Sequence, residues 1–224
     1  VGEFERAFTD RQFEHVARHL RRHGVLVWLP EAGGPVDLDA PTHRVLMQVL
    51  AAQSQREVVR SRHRTMAAMT AQTVEQGRFL GGRPPYGYRL VDAGPHPNRA
   101  HAAWGRRCQQ LSPDPATAPH VRWMFAERLA GRSVASIARE LNEQGVPCPS
   151  AANPERNRHR SGQGWNLRSV AVILANPRYT GRQVWSRHRS RPGAGRSTVT
   201  GDWAVSRTMS YPALVSEADF IAVQ

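Results

Sequence analysis

The residues best equipped for chemistry lie between Gly77 and Leu90, where GRFLGGRPPYGYRL sets Arg78, Arg83 and Arg89 beside Tyr86 and Tyr88. Guanidinium groups offer paired N–H donors to phosphate oxygens, and tyrosines add ring faces and hydroxyls. Gly81, Gly82, Pro84 and Pro85 keep the stretch out of a helix: glycine adds backbone freedom, while proline lacks an N–H and restricts the residue before it. Extended, arginine-bearing backbone of this kind can follow a DNA strand or enter a minor groove, with glycine allowing close approach. The candidate DNA contacts are therefore Arg78, Gly81, Gly82, Arg83, Pro85, Tyr86, Tyr88 and Arg89. A surface linker with incidental charge is the alternative.

The charge of the whole chain points the same way. Its 224 residues carry 31 basic side chains, every one of them Arg, against 18 acidic ones, a net charge of +13. Such an excess calls for a polyanionic partner, with double-stranded DNA the first candidate and an anionic membrane the weaker one. The exclusive use of Arg suits bidentate contacts to phosphate and guanine, and GC-rich coding would produce it equally well. Five further arginines in three segments stand out: Arg60 and Arg64 in QREVVRSRHR, Arg158 and Arg160 in the loop NPERNRHRSGQGW, and Arg168 in NLRSV.

Other chemistry finds little support. Cys108 and Cys148 are far apart and lack a CxxC partner, the ten His are scattered singly, and no Gly-rich phosphate loop, paired-carboxylate site or HExxH pattern occurs. No metal and no cofactor are expected. The opening EFERAFTDRQFE is too charged for a secretory signal and no apolar run approaches bilayer length, so the cytoplasm is the expected compartment. An RNA-binding reading lacks an RNP-like or KH-like motif.

The elements that must position these residues read as follows. Asp10 to His23 has Phe13, Val16, Ala17 and Leu20 at helical spacing and stops at Gly24. Val25 to Leu29, ended by Pro30, reads as a buried strand, half of an α/β unit whose other strands must come from elsewhere. From Thr42 no Gly or Pro interrupts the chain until Gly77, which predicts one long helix of roughly 35 residues, about 50 Å. Short strands around Tyr88 to Val91 and Gln109 to Ser112 can pair across a turn-rich segment. Thr117 to Ala130 is a helix capped by Thr117, with Val121, Met124, Phe125 and Leu129 on one face. Ser133 caps a second, with Val134, Ile137, Ala138 and Leu141 inward, and the pair resembles a helix-turn-helix. Asn166 caps a third, Leu167 to Ala175, whose first turn offers Arg168 either as a reader of guanine or as plain surface charge. Tyr179, Val184 and Trp185 read as a strand, and SRHRSRPGAGRSTVTGD as linker. The fold class is α+β, predominantly helical.

GGRPPYGY resembles the opening of the recombinase domain of large serine recombinases, the relatives of phage integrases and transposon resolvases. LAGRSVASIARELNEQGVPCPS, GWNLRSVAVILANPRYTGRQVW and ALVSEADF follow in the family's order, so that the resemblance runs from Glu5 to Phe220. It implies three regions: residues 1–76 as the end of a resolvase-like catalytic domain with its long linking helix, 77–190 as a DNA-binding recombinase domain, and 191–224 as a linker toward a zinc-binding region. It also implies a chemistry, attack of a Ser hydroxyl on a phosphodiester to leave a phosphoserine link, with Arg side chains stabilising the developing charge. The family's Ser lies upstream of the segment that matches here. GEFERAF resembles the family's Asp-Arg-x-x-Arg motif in either of two registers, and only Arg6 survives as a matched catalytic candidate. The intact protein is expected to act as a dimer or tetramer, whereas this chain alone is expected to form no covalent link to DNA. The rival from another class is a helix-turn-helix regulator that occupies sites without cutting them.

Overall fold

The structure is a computed structural model that describes residues 12–37, 39–157, 164–185 and 203–224. Two compact units divide the chain, Val1–Ala68 and Met69–Gln224.

In the first unit, helix α1 (Gln12–Arg22) runs to Gly24, whose φ of +72° breaks the helical path. Strand β1 (Trp28–Leu29) turns through a short 3-10 segment and pairs antiparallel with β2 (Gly34–Pro35). The buried strand expected over residues 25–29 is thus a two-residue hairpin arm, and Leu26 (63%) and Trp28 (66%) face solvent. Pro30 and the glycines after Ala32 fold the chain back at once, and the run is covered on one face only. Ala17, Met47 and Leu50 form a small core with Val27, Leu29, Val36 and Leu46 against it.

Helix α2 (Pro41–Val74) contributes to both units and has the length expected from its sequence. Pro41 sits in its first turn, where no N–H is needed, and no further Pro or Gly interrupts it.

The second unit opens on a hairpin. Strand β3 (Tyr88–Pro95) pairs antiparallel with β4 (Arg107–Pro113), Leu90 facing Leu111, with an irregularity between Asp92 and Pro95. Its connection holds a short helix, α3 (Arg99–Ala103), where the sequence predicts a turn-rich, irregular segment. Asn98 accepts hydrogen bonds from the backbone N–H groups of Ala100 and His101 to start it.

Helices α4 (Ala118–Leu129), α5 (Val134–Glu143) and α6 (Leu167–Leu174) then pack on one another. Val121, Met124, Phe125, Ile137, Ala138, Leu141, Val170, Ile173 and Leu174 form the shared core, as the helical spacing predicts; Leu129 lies outside it, exposed. Thr117 precedes α4 without capping it, because its hydroxyl donates to Asp114 Oδ2 at 2.6 Å. Ser133 does cap α5, its Oγ accepting from the Ser136 N–H at 3.1 Å. Ser133→Ala is expected to cost about 1 kcal/mol, measurable by urea denaturation. Arg132 fastens α4 to α5 by pairing with Glu127 at 2.7 Å and Glu140 at 2.5 Å, and these carboxylates raise its pKa.

The region expected as linker requires a correction. Residues 186–202 lie outside those described, but β6 (Ala204–Val205) pairs with β5 (Val184–Trp185), and Tyr211, Leu214, Val215 and Val223 enter the main core. Helix α7 (Glu217–Ala222), capped by Ser216, packs against α4. Residues 203–224 therefore complete the domain: apolar side chains spaced through SYPALVSEADFIAV find a surface left open by α4 and the Tyr179 turn. Tyr179 itself lies in a 3-10 turn (Pro177–Thr180), fully buried, not in a strand.

Candidate nucleic-acid interface

The GGRPPYGY segment divides in two. Its second half is core. Pro85 to Tyr88 form a turn closed by Tyr88 N–H donating to the Pro85 carbonyl at 3.0 Å, with Gly87 at φ +91°. A Cβ on Gly87 would stand 2.7 Å from Val121 Cγ2, so the turn lies hard against α4.

Tyr88 is 4% exposed, stacks on Tyr179, meets Tyr211 edge-on, and donates its hydroxyl to the Pro212 carbonyl at 2.9 Å. Tyr86 is half-buried, edge-on to Trp165, and donates to the Pro147 carbonyl at 2.9 Å. Burial pushes the Tyr86 phenol up to about 12 and raises that of Tyr88 as well, so both stay neutral donors at ordinary pH. The reading of Tyr86 and Tyr88 as DNA contacts is corrected accordingly. Two tyrosines in a Gly/Pro-rich stretch do not reveal by themselves whether carbonyls elsewhere will satisfy their hydroxyls, and here they do.

Arg78 is also engaged within the protein, its guanidinium directed at Gln72 Oε1 (3.3 Å), His96 Nε2 (3.3 Å) and Cys108 Sγ (3.6 Å). It links the end of α2 to the β3–β4 hairpin, so this side chain has partners within the protein. The positive neighbour, after the cost of burial, lowers the His96 pKa.

The first half of the segment stays outward. Gly81 (φ +102°) and Gly82 (φ +93°) are exposed, with no heavy atom within 4 Å of where a Cβ would stand. Exposed Arg83 donates to Asn157 Oδ1 at 2.8 Å, which ties this loop to the start of the basic loop. Pro85 is half-buried, and Arg89 projects from β3 into solvent. Arg60 and Arg64 are exposed on α2 in the first unit, Arg64 paired with Glu57 at 2.7 Å. Arg6, Arg158 and Arg160 lie outside the described residues.

Arg168 projects into solvent from the first turn of α6, and the sequence GWN shows how that turn is fixed. Trp165 is buried, its indole N–H donating to the Val146 carbonyl at 2.9 Å. Asn142 on α5 clasps the Trp165 backbone twice, accepting from its N–H at 2.7 Å and donating to its carbonyl at 2.9 Å. Gly164, at φ +129°, must be glycine because a Cβ there would come within 2.6 Å of Asn142 Oδ1. Asn166 and Ser169 then cap α6 reciprocally. Asn142 was not legible as a positioning residue; it reads simply as a polar helix residue until its partner 23 positions away is known.

A cleft of about 450 Å³ opens between these parts, lined by Arg83, Pro85, Asn157, Gly164, Asn166 and Cys148 among others. Burial works against ionising the Cys148 thiol, but hydrogen bonds from Ser150 and from the backbone N–H groups of Ala151 and Gly164 outweigh it and lower its pKa. Cys108 and Cys148 are both thiols, joined by no disulfide. Among the described residues no group of three or more His, Cys, Asp or Glu is placed to hold a metal ion. No described helix is long and apolar enough to cross a membrane.

Comparison with known proteins bears on the second unit. Residues 115–224 match the family model Recombinase. No curated protein sequence matches the chain. Among solved structures, a crystal structure of an LSR–DNA complex is similar at 14% identity and a TM-score of 0.40, covering 71% of this chain. The chain spans 37% of the length of that protein. The family match lies wholly within the second unit, so that residues 115–224 are similar to the Recombinase family.

Proposed function

We propose that this chain is the DNA-binding portion of a site-specific serine recombinase and that it grips duplex DNA with α6 in the major groove. The observation that carries this reading is the outward first turn of α6. Arg168 stands there on a helix whose start is fixed by the clasp of Asn142 on Trp165 and by the cap of Asn166, in a chain of net charge +13. Three helices with the third presented outward is the arrangement in which helix-turn-helix proteins read base edges from the start of that helix.

In the proposal Arg83, with the Gly81–Arg83 loop, meets the phosphate backbone, and Arg158 and Arg160 of the basic loop supply further phosphate contacts. Hydrogen bonding of Arg83 to Asn157 supports the pairing of the two loops. Residues 1–76 serve as the end of a resolvase-like catalytic domain with its linking helix, and strand exchange through a phosphoserine link takes place in the intact dimer or tetramer.

Arg168→Ala is the direct test. It is expected to weaken binding to a preferred duplex about tenfold or more, by the worth of a bidentate guanine contact, and to relax the choice of sequence. The melting temperature should be unchanged, since Arg168 is exposed. Equal affinity for all sequences before and after the change would remove α6 from the interface.

A further inference from the structure

The outer face of α6 has an unusual composition for a helix at a protein surface. At 100° per residue, Leu167, Ala171, Ala175, Arg168 and Val172 share one arc of about 140°, opposite the core residues Val170, Ile173 and Leu174. All five are exposed, Leu167 at 55% and Val172 at 54%. The solvent arc of such a helix is ordinarily charged or polar, yet here one guanidinium stands among four apolar side chains. A contiguous apolar surface of this kind marks a face that something covers.

Charge selects the occupant. A second copy of this face would set Arg168 against Arg168 in chains that each carry +13, which like-charge repulsion disfavours. A duplex answers both features, because the major groove offers guanine N7 and O6 to an Arg and thymine methyl groups to apolar side chains. Ala171 and Ala175 are small enough to let the helix backbone approach the base edges.

We infer that α6 reads a short sequence in which a guanine lies beside thymines, Arg168 contacting the guanine and Val172, Ala171 and Leu167 packing on the thymine C5 methyl groups. This rests on the DNA-binding reading above and adds the bases that are read. An eight-residue helix is about 12 Å long, enough for three to four base pairs.

The experiment uses the full chain and a pool of randomised duplexes, from which bound sequences are recovered. Enriched sites should contain guanine next to thymine. Each thymine of the best site is then replaced by deoxyuridine, which removes only the methyl group and keeps every hydrogen bond. One or two of these replacements should weaken binding about fourfold each, the worth of one buried methyl group. Val172→Ala should shrink that penalty at one position while leaving the others. 5-Methylcytosine in place of cytosine should have no effect at positions read by Arg168, where guanine is the contacted base.

Enriched sites that bind deoxyuridine and thymine alike would overturn the methyl reading and leave DNA binding standing. Binding without any enriched sequence would overturn it too. No binding to any duplex would instead overturn the DNA-binding reading beneath it, so the two failures are distinguishable.

Discussion

Gly87→Ala is expected to lower the melting temperature of this protein by about 10 °C. The added Cβ would meet Val121 Cγ2 at 2.7 Å and Leu214 Cδ1 at 3.1 Å, both in the main core. Overpacking of that kind costs about 1–3 kcal/mol. At φ +91° an alanine also adopts a backbone conformation costing about 1–2 kcal/mol more than glycine. The sum, about 3 kcal/mol, corresponds to the stated shift for a chain of this size.

Gly82→Ala serves as the control, since φ there is also positive but a Cβ would meet nothing within 4 Å. It should lose only the backbone contribution. Thermal melts followed by circular dichroism separate the two, and a Gly87→Ala shift no larger than the control would mean that the turn does not seat on α4. A segment that looks like a nucleic-acid arm would, on this expectation, owe its Gly87–Tyr88 pair to folding.

That division explains which parts of the molecule were legible in the sequence. Helices α2, α4, α5 and α6 follow from uninterrupted apolar spacing and from local caps such as Ser133 and Asn166, whose partners lie three residues away. Such signals are complete within a short window. The roles of Tyr86, Tyr88 and Arg78 depend on partners far along the chain: Pro147, Pro212 and Cys108 respectively. Residue type alone leaves a tyrosine or arginine equally suited to a core carbonyl or to a phosphate.

The fate of residues 203–224 was hidden for the same reason. The Tyr211 hydroxyl is shared between the carbonyls of Arg182 at 2.7 Å and Arg178 at 3.0 Å, and the N–H groups of Leu214 and Val215 donate to the Tyr179 carbonyl. Position after a Gly/Ser/Arg-rich stretch suggested continued linker, whereas the long-range packing decides otherwise. For the proposed interface, Arg168 and Arg83 were legible as exposed bases, while the Asn142–Trp165 clasp that aims α6 was not.

The largest effect expected of this protein in solution is the loss of DNA affinity with salt. With Arg78 and the two tyrosines engaged within the protein and Arg64 paired with Glu57, Arg60, Arg83, Arg89, Arg158, Arg160 and Arg168 remain as candidate phosphate or base contacts. About six contacts release about five counterions, so log K against log salt should fall with a slope near −5. Between 50 and 200 mM salt that is about a thousandfold in affinity. A purely apolar or stacking association would show almost none of this, because only neutralised phosphates liberate ions. Arg78→Ala should leave the slope unaltered, its guanidinium being directed at Gln72 and the β3–β4 hairpin.

Fluorescence anisotropy of a labelled duplex, titrated with the full chain at a series of salt concentrations, tests duplex binding most directly. Binding with a slope near −5 is the expected result; a slope near zero, or no binding at 50 mM salt, would contradict it.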